Sequence, residues 1–465
     1  MLSIINPATA APIAEVTVDQ AADVQRKAAI ARAAQPTWAA RPLAERISLI
    51  QQFRQRLQQQ QSRLAAILTA ETGKPIAQAE AEIGATLERI DFFTAQVAAV
   101  TTPAIAHQDC LSVPGSASLE EVITQEPLGV VANISAWNYP YFVGSNVFIP
   151  ALLTGNAVLY KPSEFATLTG QAIADLFHAA GVPSEILVPV IGGGATGAAL
   201  LEQPLDGVFF TGSYATGKKV AAAAAAQLAK MQLELGGKDP AYVCNDVTDV
   251  PATAAALADG AFYNNGQSCC AVERIYVHAE IYDAFLTAFL ATVQAFKMGD
   301  PTDPNTYLGP LSRQPHLEEL ERQVKDAIAQ GATLQTGGHR VEGTGWYFAP
   351  TVLTEVTAEM AVMRAETFGP VIGIQKVTSD EAAIALMNDT DYGLTAAVYS
   401  RDRHRATTIL SQVKSGTAYW NCCDRVSPRL PWSGRGHSGL GTTLSLEGIR
   451  TFTQSRGWHL KAPVS

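Results

Sequence analysis

Two short segments hold the residue types that covalent chemistry on a carbonyl requires. Asn265-Gly266-Gln267-Ser268-Cys269-Cys270 offers thiols in a turn of small residues, and the upstream Glu234-Leu235-Gly236-Gly237 offers a carboxylate beside two glycines. A thiol is a nucleophile and a carboxylate a general base. A free thiol has a pKa of ~8.5 and stays largely protonated at neutral pH, so its setting must activate it. Cys110 and Cys244 lack a glycine-rich polar setting and read as buried, inert residues. Cys270 competes with Cys269 by adjacency, as a redox partner or simply as a neighbour.

Other segments hold further polar groups. In Trp137-Asn138-Tyr139-Pro140, the Asn138 amide can donate to an oxyanion without changing its charge, or it can simply end a strand. Lys161-Pro162-Ser163-Glu164 follows an apolar run, where α/β sheets bind ligands, and taken alone it also reads as a surface ion pair. Two glycine segments fit a phosphate cradle. Gly192 to Gly197 matches G-x-G-x-x-G but has no acidic residue about twenty positions on. Phe209 to Gly217 leads from a strand into a helix, and its Ser213 hydroxyl and helix N-terminus suit a pyrophosphate. Chemistry alone does not choose between them.

The elements that must position these groups are legible in outline. Ile47, Ile50, Phe53 and Leu57 recur at helical spacing within a mostly helical first hundred residues, and the glutamines at 58 to 61 read as a solvated face. From Val122 onward short apolar runs alternate with helical stretches. Candidate strands are 130–134, 157–160, 186–191 and 207–210, and a second alternating series runs from about Leu235 to Trp420. This alternation predicts βαβ units and mostly parallel sheets. The alanines at 221 to 226 lie where a helix should pack closely on a sheet.

Bulk properties narrow the function. A chain of 465 residues exceeds one core and predicts two or three domains. Apolar residues at 47% and charged residues at 16% fit a packed globular enzyme. A formal charge of -10 gives no reason to approach nucleic acid or an anionic membrane. The N-terminus lacks a secretory pattern, and the apolar stretch 142–160 is interrupted by Ser, Asn, Pro and Gly. It reads as a buried helix, a turn and a strand, so a cytoplasmic protein is expected. Six cysteines without C-x-x-C spacing form neither a disulfide framework nor a zinc site, and no metal is expected.

Together the motifs resemble the NAD(P)-dependent aldehyde dehydrogenase superfamily. Gly266-Gln267-Ser268-Cys269 resembles its G-Q-x-C, Glu234 to Gly237 its E-L-G-G, and Trp137 to Pro140 its W-N-x-P. Glu366-Thr367-Phe368-Gly369-Pro370 resembles E-x-F-G-P, and Asn6-Pro7-Ala8-Thr9 the opening N-P-A-T. Pro431 to Gly439 resembles P-F-G-G-x-K-x-S-G, with Trp432 in the Phe place and Gly436 in the Lys place. These motifs follow the family's order along almost the whole chain.

The resemblance implies that Cys269 adds to an aldehyde and that the thiohemiacetal collapses with loss of hydride to the nicotinamide. Glu234 then activates the water that hydrolyses the thioester, and Asn138 and the Cys269 N–H form the oxyanion site. It assigns the pyrophosphate to the turn bearing Gly212 and Ser213, and places the earlier glycine loop near the adenine. Lys161 and Glu164 are placed on the adenosine ribose, Glu366 on the nicotinamide ribose, and Trp137 and Phe368 around the nicotinamide site. A carboxylate at Glu164 would repel a 2′-phosphate, which favours NAD, with NADP possible.

For the aldehyde, the resemblance implies a funnel of Tyr139, Phe142, Val143, Asn146, Ser268, Cys270, Arg425 and Val426. Arg425 or Arg429 could pair with a semialdehyde carboxylate, or both could face solvent or a subunit interface. A CoA-acylating dehydrogenase and a non-catalytic relative are the alternatives; retention of the water-activating Glu234 argues against the first, and retention of Cys269, Glu234 and Asn138 together against the second.

The fold expected is α/β, with a doubly wound Rossmann-like cofactor domain at 1–114 and 135–233 and an α/β catalytic domain at 234–425. Residues 115–134 and 426–465 should form a small β oligomerisation element, giving a homodimer or homotetramer. The C-terminal Phe452, Trp458 and Leu460 would pack on another subunit or on their own domain.

Overall fold

The structure, a computed structural model, describes residues 1–108 and 119–461. Cys110 and the first residues of the expected β element lie outside the described residues.

After an antiparallel pair of strands (Leu2–Asn6 and Ala11–Val16), four helices occupy most of the first hundred residues. They are α1 (Ala21–Ala39), α2 (Leu43–Gln59), α3 (Gln61–Thr72) and α4 (Ile76–Thr101). Pro42 and Pro75 stand at the starts of α2 and α4, where a fixed φ and a missing N–H cost nothing. Ile50, Phe53 and Leu57 turn one face of α2 inward, and Phe53 stacks on Phe177 at 3.7 Å. The glutamines at 58–61 straddle the α2–α3 junction instead of forming one solvated face. Gln58 and Gln59 are exposed, while Gln61 Nε2 donates to the Glu80 carbonyl at 2.8 Å. Gly73, with φ 78°, ends α3, and a Cβ there would stand 2.5 Å from Pro310 Cγ. Only glycine closes that turn without strain.

The next segment alternates strands with α5 (Pro140–Leu153), α6 (Thr167–Ala179), α7 (Gly194–Leu201) and α8 (Tyr214–Ala226). Its sheet runs Gly439–Leu440, Lys230–Glu234, Gly207–Thr211, Val130–Ile134, Ala157–Lys161, Leu187–Pro189. All pairs are parallel except the one made by Gly439–Leu440. The stretch from Phe142 to Tyr160 is the expected buried helix, turn and strand. Among the described residues no helix is long and apolar enough to cross a membrane. The expected strand at 186–191 shortens to Leu187–Pro189.

Four expectations need correction. Val130–Ile134 belongs to the centre of this sheet and not to the peripheral β element. Its residues are apolar on both faces and all buried, as a central parallel strand requires. The alanine run does not pack on the sheet as a block: Gly217, Val220 and Ala224 are the buried face of α8, and Ala222, Ala225 and Ala226 are exposed. The C-terminal segment is also divided. Gly439–Leu440 extends the first sheet at Glu234, and Phe452 stacks on Phe209 at 4.3 Å. Only Thr453–Lys461 reaches the peripheral sheet, where it pairs with Leu119–Pro127, and that strand pairs with Ala104–Gln108. The latter strand had been expected within the cofactor domain.

A second sheet carries the later half of the chain in the order Thr333–Thr336, Thr351–Thr354, Val371–Val377, Val272–His278, Asp239–Val243, Thr395–Tyr399, Thr417–Trp420. All pairs but the first are parallel. The strand Lys230–Glu234 belongs to the first sheet and Asp239–Val243 to the second, so the chain crosses between the two from Glu234 to Lys238.

Candidate active site

Cys269 is presented by a turn that few residue types can form. Asn264, Asn265 and Gly266 are successively left-handed, with φ of 53°, 57° and 68°. Asparagine and glycine tolerate that region best. Each is also pinned. The Asn264 N–H donates to Gln78 Oε1 at 3.0 Å, and Asn265 Nδ2 donates to the carbonyls of Gly309 at 2.7 Å and Pro310 at 2.8 Å. A Cβ on Gly266 would meet the Gly369 carbonyl oxygen at 2.4 Å. Cys269 emerges from this turn half-buried.

Cys270 is fully packed, and its Sγ donates to Asp424 Oδ1 at 3.0 Å. Its hydrogen bond with Cys269, then its burial, hold this thiol well above the usual range. A protonated donor is not a nucleophile. Asn138, on the turn before α5, is buried and donates through Nδ2 to the Gln267 carbonyl at 3.1 Å. Among the described residues the Cys269 N–H meets no protein acceptor.

Glu234 sits where the first sheet ends. Burial raises its pKa, while the Thr443 hydroxyl, which donates to Oε1, and then the charge of Arg89 pull it back down. Neither partner was legible in the sequence as part of the site.

Two cavities meet at these residues. A cleft of about 760 Å³ runs over the first sheet, and a cavity of about 350 Å³ lies between α4, α5 and the loop bearing Asp424. Glu234 and Cys269 are the two residues that line both.

The cleft gathers the residues expected around a dinucleotide: Trp137, Lys161, Glu164, Gly212, Ser213, Glu366 and Phe368. Ser213 caps α8, with its hydroxyl accepting from the Thr216 N–H at 3.4 Å. A helix N-terminus that opens on a cleft suits a pyrophosphate. Lys161 Nζ lies 3.6 Å from Glu164 Oε2, a donor and an acceptor placed for a vicinal diol. The earlier glycine segment also contributes, since Gly194 and Gly197 line the same cleft. Gly192 permits its turn, with φ 153° and Thr196 Oγ1 2.1 Å from where a Cβ would be.

Phe368 holds a left-handed φ of 50°, unusual for an aromatic residue. Its N–H donates to Glu273 Oε1 at 2.9 Å, and its carbonyl meets His316 Nε2 at 2.9 Å. Those bonds keep the ring 5.7 Å from Trp137, edge to face. Burial lifts Glu366 to about 8, and a Cβ on Gly236 would lie 2.3 Å from its carboxylate. Arg313 and His316 also line the cleft, and Arg313 Nε is buried without a partner. The residues present therefore fit a nicotinamide adenine dinucleotide.

The smaller cavity is lined by all eight funnel residues expected from the sequence, Tyr139, Phe142, Val143, Asn146, Ser268, Cys270, Arg425 and Val426. Arg425 is exposed at its wall, and Arg429 does not line it. Sequence reasoning missed Arg89, Asp259, Tyr263 and Asp424. A buried ion pair braces the cavity: Lys74 bonds Glu82 Oε2 and lies 3.7 Å from the Tyr139 ring centre. Glu82 Oε1 accepts the Tyr141 N–H at 2.9 Å and so fixes the start of α5.

The chain matches the aldehyde dehydrogenase family over residues 1–457. It is 35% identical to lactaldehyde dehydrogenase of Escherichia coli, over 99% of this chain and 95% of that protein. It is 34% identical to an NADP(+) succinate-semialdehyde dehydrogenase of Deinococcus radiodurans, over 97% and 93% of the two chains. The crystal structure of an NAD-dependent aldehyde dehydrogenase from Sinorhizobium meliloti superposes with a TM-score of 0.94 at 33% identity, covering 99% of this chain and 92% of that one. The α/β architecture, the paired cavities and these matches agree: the chain belongs to the aldehyde dehydrogenase family and is an NAD(P)-dependent oxidoreductase.

Proposed function

We propose that Cys269 is the nucleophile, Glu234 the base for deacylation, and Asn138 with the Cys269 N–H the oxyanion site. The observation that carries this reading is the pair shared by the two cavities: a thiol and a carboxylate stand where aldehyde and dinucleotide would meet. Cys269 Sγ adds to the aldehyde carbon, and the oxygen gains negative charge against the Asn138 amide. The bound dinucleotide supplies a hydride acceptor at the nicotinamide. Loss of hydride from the tetrahedral adduct leaves a thioester on Cys269. Glu234 removes a proton from water, the hydroxyl adds to the thioester carbon, and the acid leaves as the Cys269 sulfur is released. A buried carboxylate of raised pKa is a better base toward water than an exposed one. Its place in the wall supports water over CoA as the acyl acceptor.

For the cofactor, Lys161 and Glu164 would hold the adenosine ribose, Gly212 and Ser213 the pyrophosphate, and Glu366 the nicotinamide ribose. Trp137 and Phe368 would flank the nicotinamide. Glu164 favours NAD over NADP through repulsion of a 2′-phosphate. The aldehyde would enter along Tyr139, Phe142, Asn146, Cys270 and Arg425. Lactaldehyde and succinate semialdehyde, from the relatives' names, are the first substrates to test.

We assign the first sheet and its helices to a cofactor domain and the second sheet to a catalytic domain. The strand Thr453–Lys461 edges its sheet and leaves Leu460 46% exposed, which supports pairing with another subunit in a homodimer or homotetramer. A cytoplasmic location is consistent with the free cysteines.

The test is reduced-nicotinamide formation with NAD or NADP and a panel of neutral and carboxylate-bearing aldehydes. Turnover should vanish in Cys269→Ala. Turnover that survives in that variant would overturn the assignment.

A further inference from the structure

A buried cation without a carboxylate partner faces the smaller cavity. Arg89, on α4, is 2% exposed and lines the same wall as Cys269. Its Nη1 donates to Asn146 Oδ1 at 2.6 Å, and its guanidinium carbon lies 4.0 Å from the centre of the Phe142 ring. Among the described residues no aspartate or glutamate forms an ion pair with it. The guanidinium carries five N–H donors in a fixed plane, and one bond to Asn146 leaves most of that fork unused.

The nearby acids are otherwise committed. Glu82, two helical turns earlier on α4, pairs with Lys74 and accepts the Tyr141 N–H. Asp424 accepts from Cys270 Sγ and Ser268 Oγ, and Asp259 accepts from the Tyr307 hydroxyl. Glu234 is held by Thr443, and it acts on Arg89 only through its charge, with no hydrogen bond or ion pair between them. Burial lowers Arg89 to about 10, so it remains charged at neutral pH. An unpaired buried cation is costly to the folded protein unless a ligand anion completes it.

We propose that Arg89 receives an anionic group of the substrate, and that the substrate is a short aldehyde bearing a carboxylate. The inference rests on the dehydrogenase reading and sharpens it. The receptor comes from α4 and not from the Arg425–Arg429 loop, and Asn146 and Phe142 hold its plane for a bidentate contact. A cavity of about 350 Å³ admits only a small chain between that contact and Cys269.

The experiment compares kcat/KM for succinate semialdehyde and butanal in the wild type, Arg89→Gln and Arg89→Lys, with NAD. Calorimetric titration with unreactive glutarate runs in parallel. The wild type should prefer the carboxylate-bearing aldehyde, and Arg89→Gln should reduce that preference by about 100-fold, chiefly through KM. Arg89→Lys, which keeps charge but not the fork, should fall between them. Glutarate should bind the wild type and not Arg89→Gln. Preference for butanal, a carboxylate preference that survives in folded Arg89→Gln, or wild type that ignores glutarate would each overturn the proposal. If Arg89→Gln does not fold, Arg89→Lys decides, because an unchanged preference there overturns the bidentate contact. Absence of turnover with every aldehyde would instead defeat the dehydrogenase reading, and the glutarate titration would still judge Arg89.

Discussion

The Asn138 amide donates to the carbonyl of Gln267, two residues before Cys269, at 3.1 Å. The proposed oxyanion donor and the proposed nucleophile are thereby fixed to one another across the junction between the two sheets. Asn264 Nδ2 donates to the same carbonyl at 3.1 Å, so the Gln267 oxygen keeps a partner if Asn138 is lost.

Asn138→Ala should therefore fold and yet lose catalysis. Removal of one oxyanion donor costs roughly 100- to 1,000-fold in kcat. Steady-state kinetics with an unchanged Tm would show it. A kcat within threefold of wild type would remove Asn138 from the oxyanion site.

Glu234 must be deprotonated to act as a base, and burial raises its pKa against the Thr443 bond and the Arg89 charge. Activity should rise with pH through that raised value. Thr443→Val removes the largest lowering influence, so the rising limb of kcat should move to higher pH. In Glu234→Gln, rapid-quench experiments should show a burst of reduced nicotinamide followed by slow turnover as thioester accumulates. A limb that stays in place in Thr443→Val would mean that another group governs it.

Cofactor choice should follow Glu164. Its carboxylate lies beside Lys161, and Glu164→Gln removes the repulsion of a 2′-phosphate. The ratio of kcat/KM for NADP over NAD should rise about 10-fold, the size of a single charge interaction near a protein surface. An unchanged ratio would place cofactor discrimination elsewhere in the cleft.

Stability should fall as the solution becomes alkaline. Burial raises Glu71 to about 7 and Asp239 to about 8. A carboxyl whose folded pKa exceeds its unfolded one contributes stability that is full below the unfolded value and is lost as pH rises through the folded value. The window is therefore pH ~4 to 8. Tm should be lower at pH 9 than at pH 6, and the difference should shrink in Glu71→Gln. Glu71 accepts the N–H of Leu168 at 2.6 Å on Oε1 and that of Thr169 at 2.8 Å on Oε2, so the variant's single amide oxygen keeps one of the two bonds. An equal pH dependence in both proteins would remove Glu71 as its source.

The sequence by itself determined whatever is local. Left-handed turns need Asn264, Asn265 and Gly266, a capped helix needs Ser213, and a closed α3 needs Gly73; each is written in the residue that performs it. The apolar run at 130–134 likewise announces a strand, although not its place in the sheet. Tertiary structure decided what depends on packing between distant segments. Arg89 and Glu82 look like ordinary charges on an amphipathic helix, and only the docking of α4 against α5 buries them in the cavity that Cys269 lines. Arg425 and Arg429 are alike in sequence, and the course of one loop brings the first to the cavity and leaves the second outside it. Helical spacing reports which face of a helix is apolar. Which charged residue enters a cavity is set by the partner helix, and no spacing within the chain encodes that partner.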